Sequence, residues 1–130
     1  MTDTIPRVPI SWGELIDKIT ILEIKVAQLE SESGRANAAR ELDLLRDIAG
    51  PVLGRSDIAG LVTRLKAVNQ ALWEIEDRIR EHERAKDFDP AFIALARSVY
   101  QTNDERGRLK REINLILGSA LIEEKSYTPY

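Results

Sequence analysis

The chain has 130 residues, 43% apolar and 32% charged, with a net charge of −3 and no cysteine. That is the length of one domain with enough apolar mass for its own core, and it excludes a disordered chain, a disulfide scaffold and thiol chemistry. The mildly acidic balance leaves no basic field for nucleic acid or an anionic membrane, and one histidine with no cysteine leaves little room for a histidine-based metal site or structural zinc.

Residues 1–10 carry two prolines and read as an extended arm, laid on the body through Ile5, Val8 and Ile10. They have no basic-then-apolar leader pattern, and the longest apolar stretch, 113–122, contains Asn, Gly and Ser and is too short to span a bilayer. A cytoplasmic location is the expectation. Ser11-Trp-Gly-Glu14 reads as a capping box, with Ser11 accepting from the Glu14 amide and the Glu14 carboxylate reaching back. The first helix is expected over about 12–32, with Leu15, Ile19, Leu22, Val26 and Leu29 as its core stripe. Ile16, Ile21 and Ile24 lie off that stripe, so the helix has more than one neighbour, one of them a second copy of the chain. Ser33-Gly34 reads as a break, followed by a short second helix over 36–48 whose inner face is Leu42, Leu45 and Ile48. Gly50-Pro51 stops it.

With Ser56 as N-cap, the third helix is expected over about 57–84, and Asp89-Pro90 restarts the chain as a fourth over 89–117, ended by Gly118. The third helix carries an unbroken apolar ladder, Ile58, Leu61, Leu65, Val68, Leu72, Ile75 and Ile79. The fourth answers with Phe92, Leu95 and Val99, then Leu109, Ile113 and Ile116. Ladders of this spacing joined by a short connection make a long antiparallel hairpin. The fold class is therefore all-α: one domain over 1–130, with the first helix packed along the hairpin and a C-terminal tail over 118–130.

The second ladder turns polar at Thr102–Arg106, which the hairpin register sets beside Val68–Leu72. Asn69, Thr102, Asn103 and Arg106 can form a semi-buried layer with Glu76 near its end, and Glu23 on the first helix is placed to offer Arg106 an acceptor. Such a layer fixes helix register, lines a ligand pocket or is simply exposed to solvent. If it is structural, Arg106→Met is expected to be neutral or stabilising and Arg106→Ala destabilising. The run Arg106, Arg108, Lys110, Arg111 is interleaved with Asp104, Glu105 and Glu112, which makes a salt-bridged helix face the better reading than a phosphate site. His82 sits on the next rung of the ladder as a helix-end packing residue. Tyr127 and Tyr130 either pack back on the body or reach a partner. No nucleophile–base pair and no cofactor motif is present.

The strings SWGELIDKITILEIK at 11–25, NDERGRLKREIN at 103–114 and GSALIEEKSY at 118–127 resemble an uncharacterised family, a domain of unknown function, of small all-helical bacterial and phage proteins. The resemblance implies no activity, cofactor or catalytic residue; it adds a lean towards glycan metabolism. Its motif positions coincide with the unusual polar ones, so a ligand site is expected where they converge. Lys18, Arg106, Lys110 and Lys125 would offer charge to an anion, Glu14, Asp17 and Asn103 acceptors, with Asn69, Glu76, Asp104 and Tyr127 around them. Small all-helical chorismate mutases share the size and the long first helix, but they need arginines there, and this helix has only Lys18 and Lys25. The function expected is a non-enzymatic interaction or scaffold module, a homodimer with room for another protein partner. The alternative is a binding protein or enzyme for an anionic metabolite of the sugar-nucleotide or glycan-pathway kind.

Overall fold

The computed structural model describes residues 4–130, and the first three residues of the expected arm lie outside that range. Among the described residues there are four α-helices and no strand: α1 Trp12–Gln28, α2 Glu32–Ala49, α3 Ala59–Ala85 and α4 Pro90–Leu117, with a 3₁₀ turn at Gly50–Gly54. The all-α architecture and the α3–α4 hairpin are those the periodicity predicts.

The boundaries correct the sequence reading at α1 and α2. Helix α1 ends at Gln28, because the chain turns extended at Leu29, and Ser31 then caps α2 by accepting from the Gly34 amide. Ser33 and Gly34 therefore sit inside the first turn of α2, where the orphan amides need a cap rather than a break. The second helix is 18 residues long, not short. Ser56 does not cap α3; Ile58 holds that place without a side-chain hydrogen bond. Asp89 does cap α4, accepting from the Phe92 amide, and Gly118 ends it at φ 63°, a left-handed conformation that favours glycine.

Helix α1 is buried on two faces. Leu15, Ile19 and Leu22 pack against Ala38, Leu42 and Ala49 of α2. Ile16 joins Ile58, Leu65, Leu109 and Ile113 in a second cluster with the hairpin, and Trp12 and Leu53 touch both. Ile16 and Ile24, expected to present surface to a second copy, are buried inside the chain instead. Ile48 is 66% exposed and is no part of the α2 inner face. Ile5, Val8 and Ile10 are exposed too, so the N-terminal segment does not pack as a core element.

The lengths of the helices decide where the core ends. Helix α3 is about 40 Å long and α1 about 25 Å at the standard rise per residue. In α3 no residue beyond Asn69 is buried, and in α4 none ahead of Leu109. Beyond that level the hairpin continues as a two-helix arm, closed at its tip by Lys86 in the left-handed region (φ 52°) and by the Asp87 amide donating to the His82 carbonyl.

Candidate functional site

Four residues of α1 at helical spacing, Gly13, Asp17, Thr20 and Ile24, share the face turned to the hairpin. Gly13 allows the helices to touch: a Cβ there would lie 2.4 Å from the Lys110 carbonyl oxygen. Of the first-turn amides of α1, that of Glu14 is capped by Ser11, and the two ahead of it are taken by α4 and the segment after it. The Gly13 amide donates to Asn114 Oδ1 at 2.6 Å, and the Trp12 amide to Ser119 Oγ at 3.2 Å.

One turn on, Asp17 is wholly buried and is the hub of a polar knot. Its Oδ1 accepts from Arg106 Nε and Asn69 Nδ2, both at 2.9 Å, and its Oδ2 accepts from Arg106 Nη2 at 2.5 Å. Asn69 also donates to the Thr20 hydroxyl at 2.9 Å, which in turn donates to the Asp17 carbonyl at 2.8 Å. The Asp17 hydrogen bonds push the Arg106 pKa above its ordinary value, more than burial lowers it, so the guanidinium keeps its charge. A buried carboxylate held by a side-on guanidinium and an amide has the donors that burial demands.

Lys110, 8% exposed at its side chain, forms the second layer, donating to Glu14 at 2.8 Å and Glu123 at 3.0 Å, with Asp17 at 4.0 Å. Burial alone would lower its pKa; the two carboxylates outweigh that and raise it. The same hydrogen bond, working against partial burial, holds the Glu123 carboxyl below the usual glutamate range. The C-terminal tail thereby folds back along α4. Arg111 reaches Glu124 at 3.3 Å, Tyr130 packs edge-on against Tyr100 at 4.7 Å between centroids, and its hydroxyl donates to Asp104 at 2.6 Å.

Of the expected site residues, the knot gathers Glu14, Asp17, Asn69, Arg106 and Lys110. Asn103, Asp104, Lys125 and Tyr127 line a cleft of about 960 Å³ between α4 and the tail, with Arg106 in its wall. Lys18 lies outside both, an exposed partner of Glu14 at 3.8 Å. Glu76 borders a second cleft with Asn69, Asn103 and Arg106, its carboxylate engaged with Arg80 at 2.8 Å. Three expectations about partners need correcting. Glu23 pairs with Arg46 and Lys66, and Asp17 supplies Arg106 instead. Glu14 does not return to the Ser11 amide, because its carboxylate is drawn to Lys110. Of the basic run, Arg108 pairs with Glu105 as expected, whereas Arg111 takes the tail's Glu124 and Lys110 turns inward.

Thr20, Asn114 and Glu123 complete the knot and escape the sequence reading. The spacing of Thr20 from Asp17 and of Asn114 from Lys110 put them on the right faces, but only the helix crossing makes them neighbours. His82 lies with Asp87 and Asp89 at the hairpin tip, their ligand-type atoms within 4.8 Å of one another. Its Nδ1 is 2.9 Å from the Asp87 carbonyl and Asp89 caps α4, so turn closure accounts for the grouping. No described helix is long and apolar enough to cross a membrane.

A model of a family described as one of unknown function (DUF6165) matches residues 6–130. No curated protein and no solved structure matches the chain.

Proposed function

The chain belongs to that family of unknown function, DUF6165, and on that premise we propose that it is a non-enzymatic scaffold that self-associates through its hairpin arm. The observation that carries this reading is the arm itself: its ladder is apolar, yet neither helix has a buried residue there. Helices derive most of their stability from packing an apolar face, and a lone pair of helices leaves that face half wet.

The occupant proposed is a second copy. One side of the arm is a shallow groove floored by the small residues Ala91, Ala94 and Ser98 of α4, with Arg78 and Glu81 of α3 on its rim. Small side chains let a helix approach closely. Opposite charges three residues apart are self-complementary about a two-fold axis, Arg78 of each copy meeting Glu81 of the other. Two arms docked in this way make an antiparallel four-helix bundle. The polar knot supports a non-enzymatic reading because its charges are neutralised by one another, and no described buried side-chain polar atom lacks a partner. A cytoplasmic location in a bacterium or phage-infected cell goes with this reading and is supported by the mixed-charge helical surface.

Light scattering at tens of micromolar tests it. The expected mass is twice 14.7 kDa. Ala94→Glu should give a folded monomer. Arg78→Glu or Glu81→Arg alone should weaken the dimer, and the two together should restore it. A wild-type monomer throughout the concentration range, or a dimer indifferent to Ala94→Glu, overturns the proposal.

A further inference from the structure

We infer that the cleft between α4 and the C-terminal tail binds a small organic anion, a carboxylate or phosphate carried on a flat apolar body, with Arg106 as its receptor. A guanidinium has five N–H donors. Asp17 takes two of them, Nε and one on Nη2, and no other acceptor touches Arg106 among the described residues. Both protons of Nη1 and the second of Nη2 are left; the Nη2 proton and the Nη1 proton beside it form the other bidentate edge, matched to a carboxylate or phosphate.

That edge is held in advance of any ligand. The Asp17 carboxylate is buried and is itself tied to Asn69, so the guanidinium is clamped from behind while 27% of the Arg106 side chain stays exposed. Fixing a receptor in its bound orientation lowers the ordering cost of binding. Asn103, one turn earlier on the same face of α4, is half-buried and lines the cleft, and its side chain makes no hydrogen bond among the described residues. Lys125 adds a second cation from the tail side; its nearest carboxylate, Glu123, is 3.7 Å away, beyond hydrogen-bonding range. Val99, Tyr100 and Tyr127 supply apolar and aromatic wall. Asp104 faces the same space, with the Tyr130 hydroxyl on its carboxylate.

Charge selects this side of Arg106. Asn103 and Arg106 also border an opposite cleft, but there Glu76 and Asp77 face one further cation, Arg80, which is already paired with Glu76, whereas the tail-side cleft has Asp104 as its one acid against Arg106 and Lys125. The inference is independent of self-association, since the proposed dimer groove uses Ala91, Ala94 and Ser98 on another face.

The test is an NMR titration of the full chain with benzoate and phenyl phosphate, with inorganic phosphate and benzyl alcohol as controls. Saturable shifts at the Arg106 Nε–H, the Asn103 side-chain amide and Gly107 are expected with both aromatic anions by about 10 mM. Asn103→Leu and Lys125→Glu leave the Asp17–Arg106 pair intact, and each should weaken binding about tenfold or more. Absence of saturable shifts, or undiminished affinity in folded Asn103→Leu or in Lys125→Glu, overturns the site. Benzyl alcohol binding as well as benzoate overturns the anion, and inorganic phosphate binding as well as phenyl phosphate overturns the apolar body.

Discussion

The two ends of the α3–α4 hairpin are written in the same heptad pattern and have different fates. At the bundle end Leu65, Leu109 and Ile113 are at most 1% exposed, because α1 lies across them. In the arm Leu72, Ile75, Ile79, Leu95 and Val99 hold equivalent rungs and are only half-buried, with nothing over them. A ladder specifies which helices pair; the number of neighbours sets how deeply it is buried. The Asp17–Asn69–Arg106 knot sits where one regime gives way to the other, at the last buried rung of α3. An ion pair there keeps an apolar partner from sliding along the hairpin, which is the register role that buried polar groups have in coiled coils.

The largest test of this contrast removes the knot. Asp17→Leu leaves Arg106 without its counter-charge, and Arg106→Met strands a buried carboxylate; each should cost about 3–5 kcal/mol in urea unfolding. Because Asp17 is fully buried, the outcome expected from the geometry is a loss, where the sequence alone leads to a neutral or stabilising Arg106→Met. The double variant Asp17→Leu/Arg106→Met removes both charges and should recover most of the loss. Simple additivity of the two single losses would show that the pair is not coupled.

A middling effect separates the two ends directly. Leu65→Ala opens a cavity in a closed cluster and should cost about 2–5 kcal/mol, whereas Leu95→Ala trims a half-wet seam and should cost less than half as much. Hydrogen exchange should agree, with arm amides opening well below the global unfolding free energy. Equal losses at the two positions would mean that the arm is as well covered as the bundle.

The smallest effect concerns the tail. The Glu123 pKa is lowered by Lys110, so its contribution is present above about pH 4.3 and is lost as pH falls through the lower folded value. The Lys110 pKa is raised, so its contribution is present below about pH 10.4 and is lost only as pH rises through the folded value. The contact should therefore hold across neutral pH and fail first in acid. Loss of the Tyr100–Tyr130 contact below about pH 4, ahead of global unfolding, would show it by NMR. Tail release at neutral pH would contradict it.

Much of this was legible in the chain. The caps Ser11 and Asp89, the stop at Gly118 and both ladders follow from local chemistry, and hairpin register alone placed Asn69 beside Arg106. The misplaced contacts have two sources. Glu23 and Ile48 are read by projection on their own helices and Glu14 by a local capping motif, and neither says how another helix crosses or where it stops. Glu123 is the extreme case, since its partner Lys110 meets it only because the tail doubles back.

Sequence by itself determined the helices, their pairing and the level at which the seam turns polar, because each is set by spacing within a few turns. Tertiary structure decided which acid meets Arg106, that Lys110 is buried, that the tail forms a cleft wall and that half the hairpin stands uncovered. Those depend on the crossing and unequal lengths of α1 and α3, and hence on contacts between residues far apart in the chain.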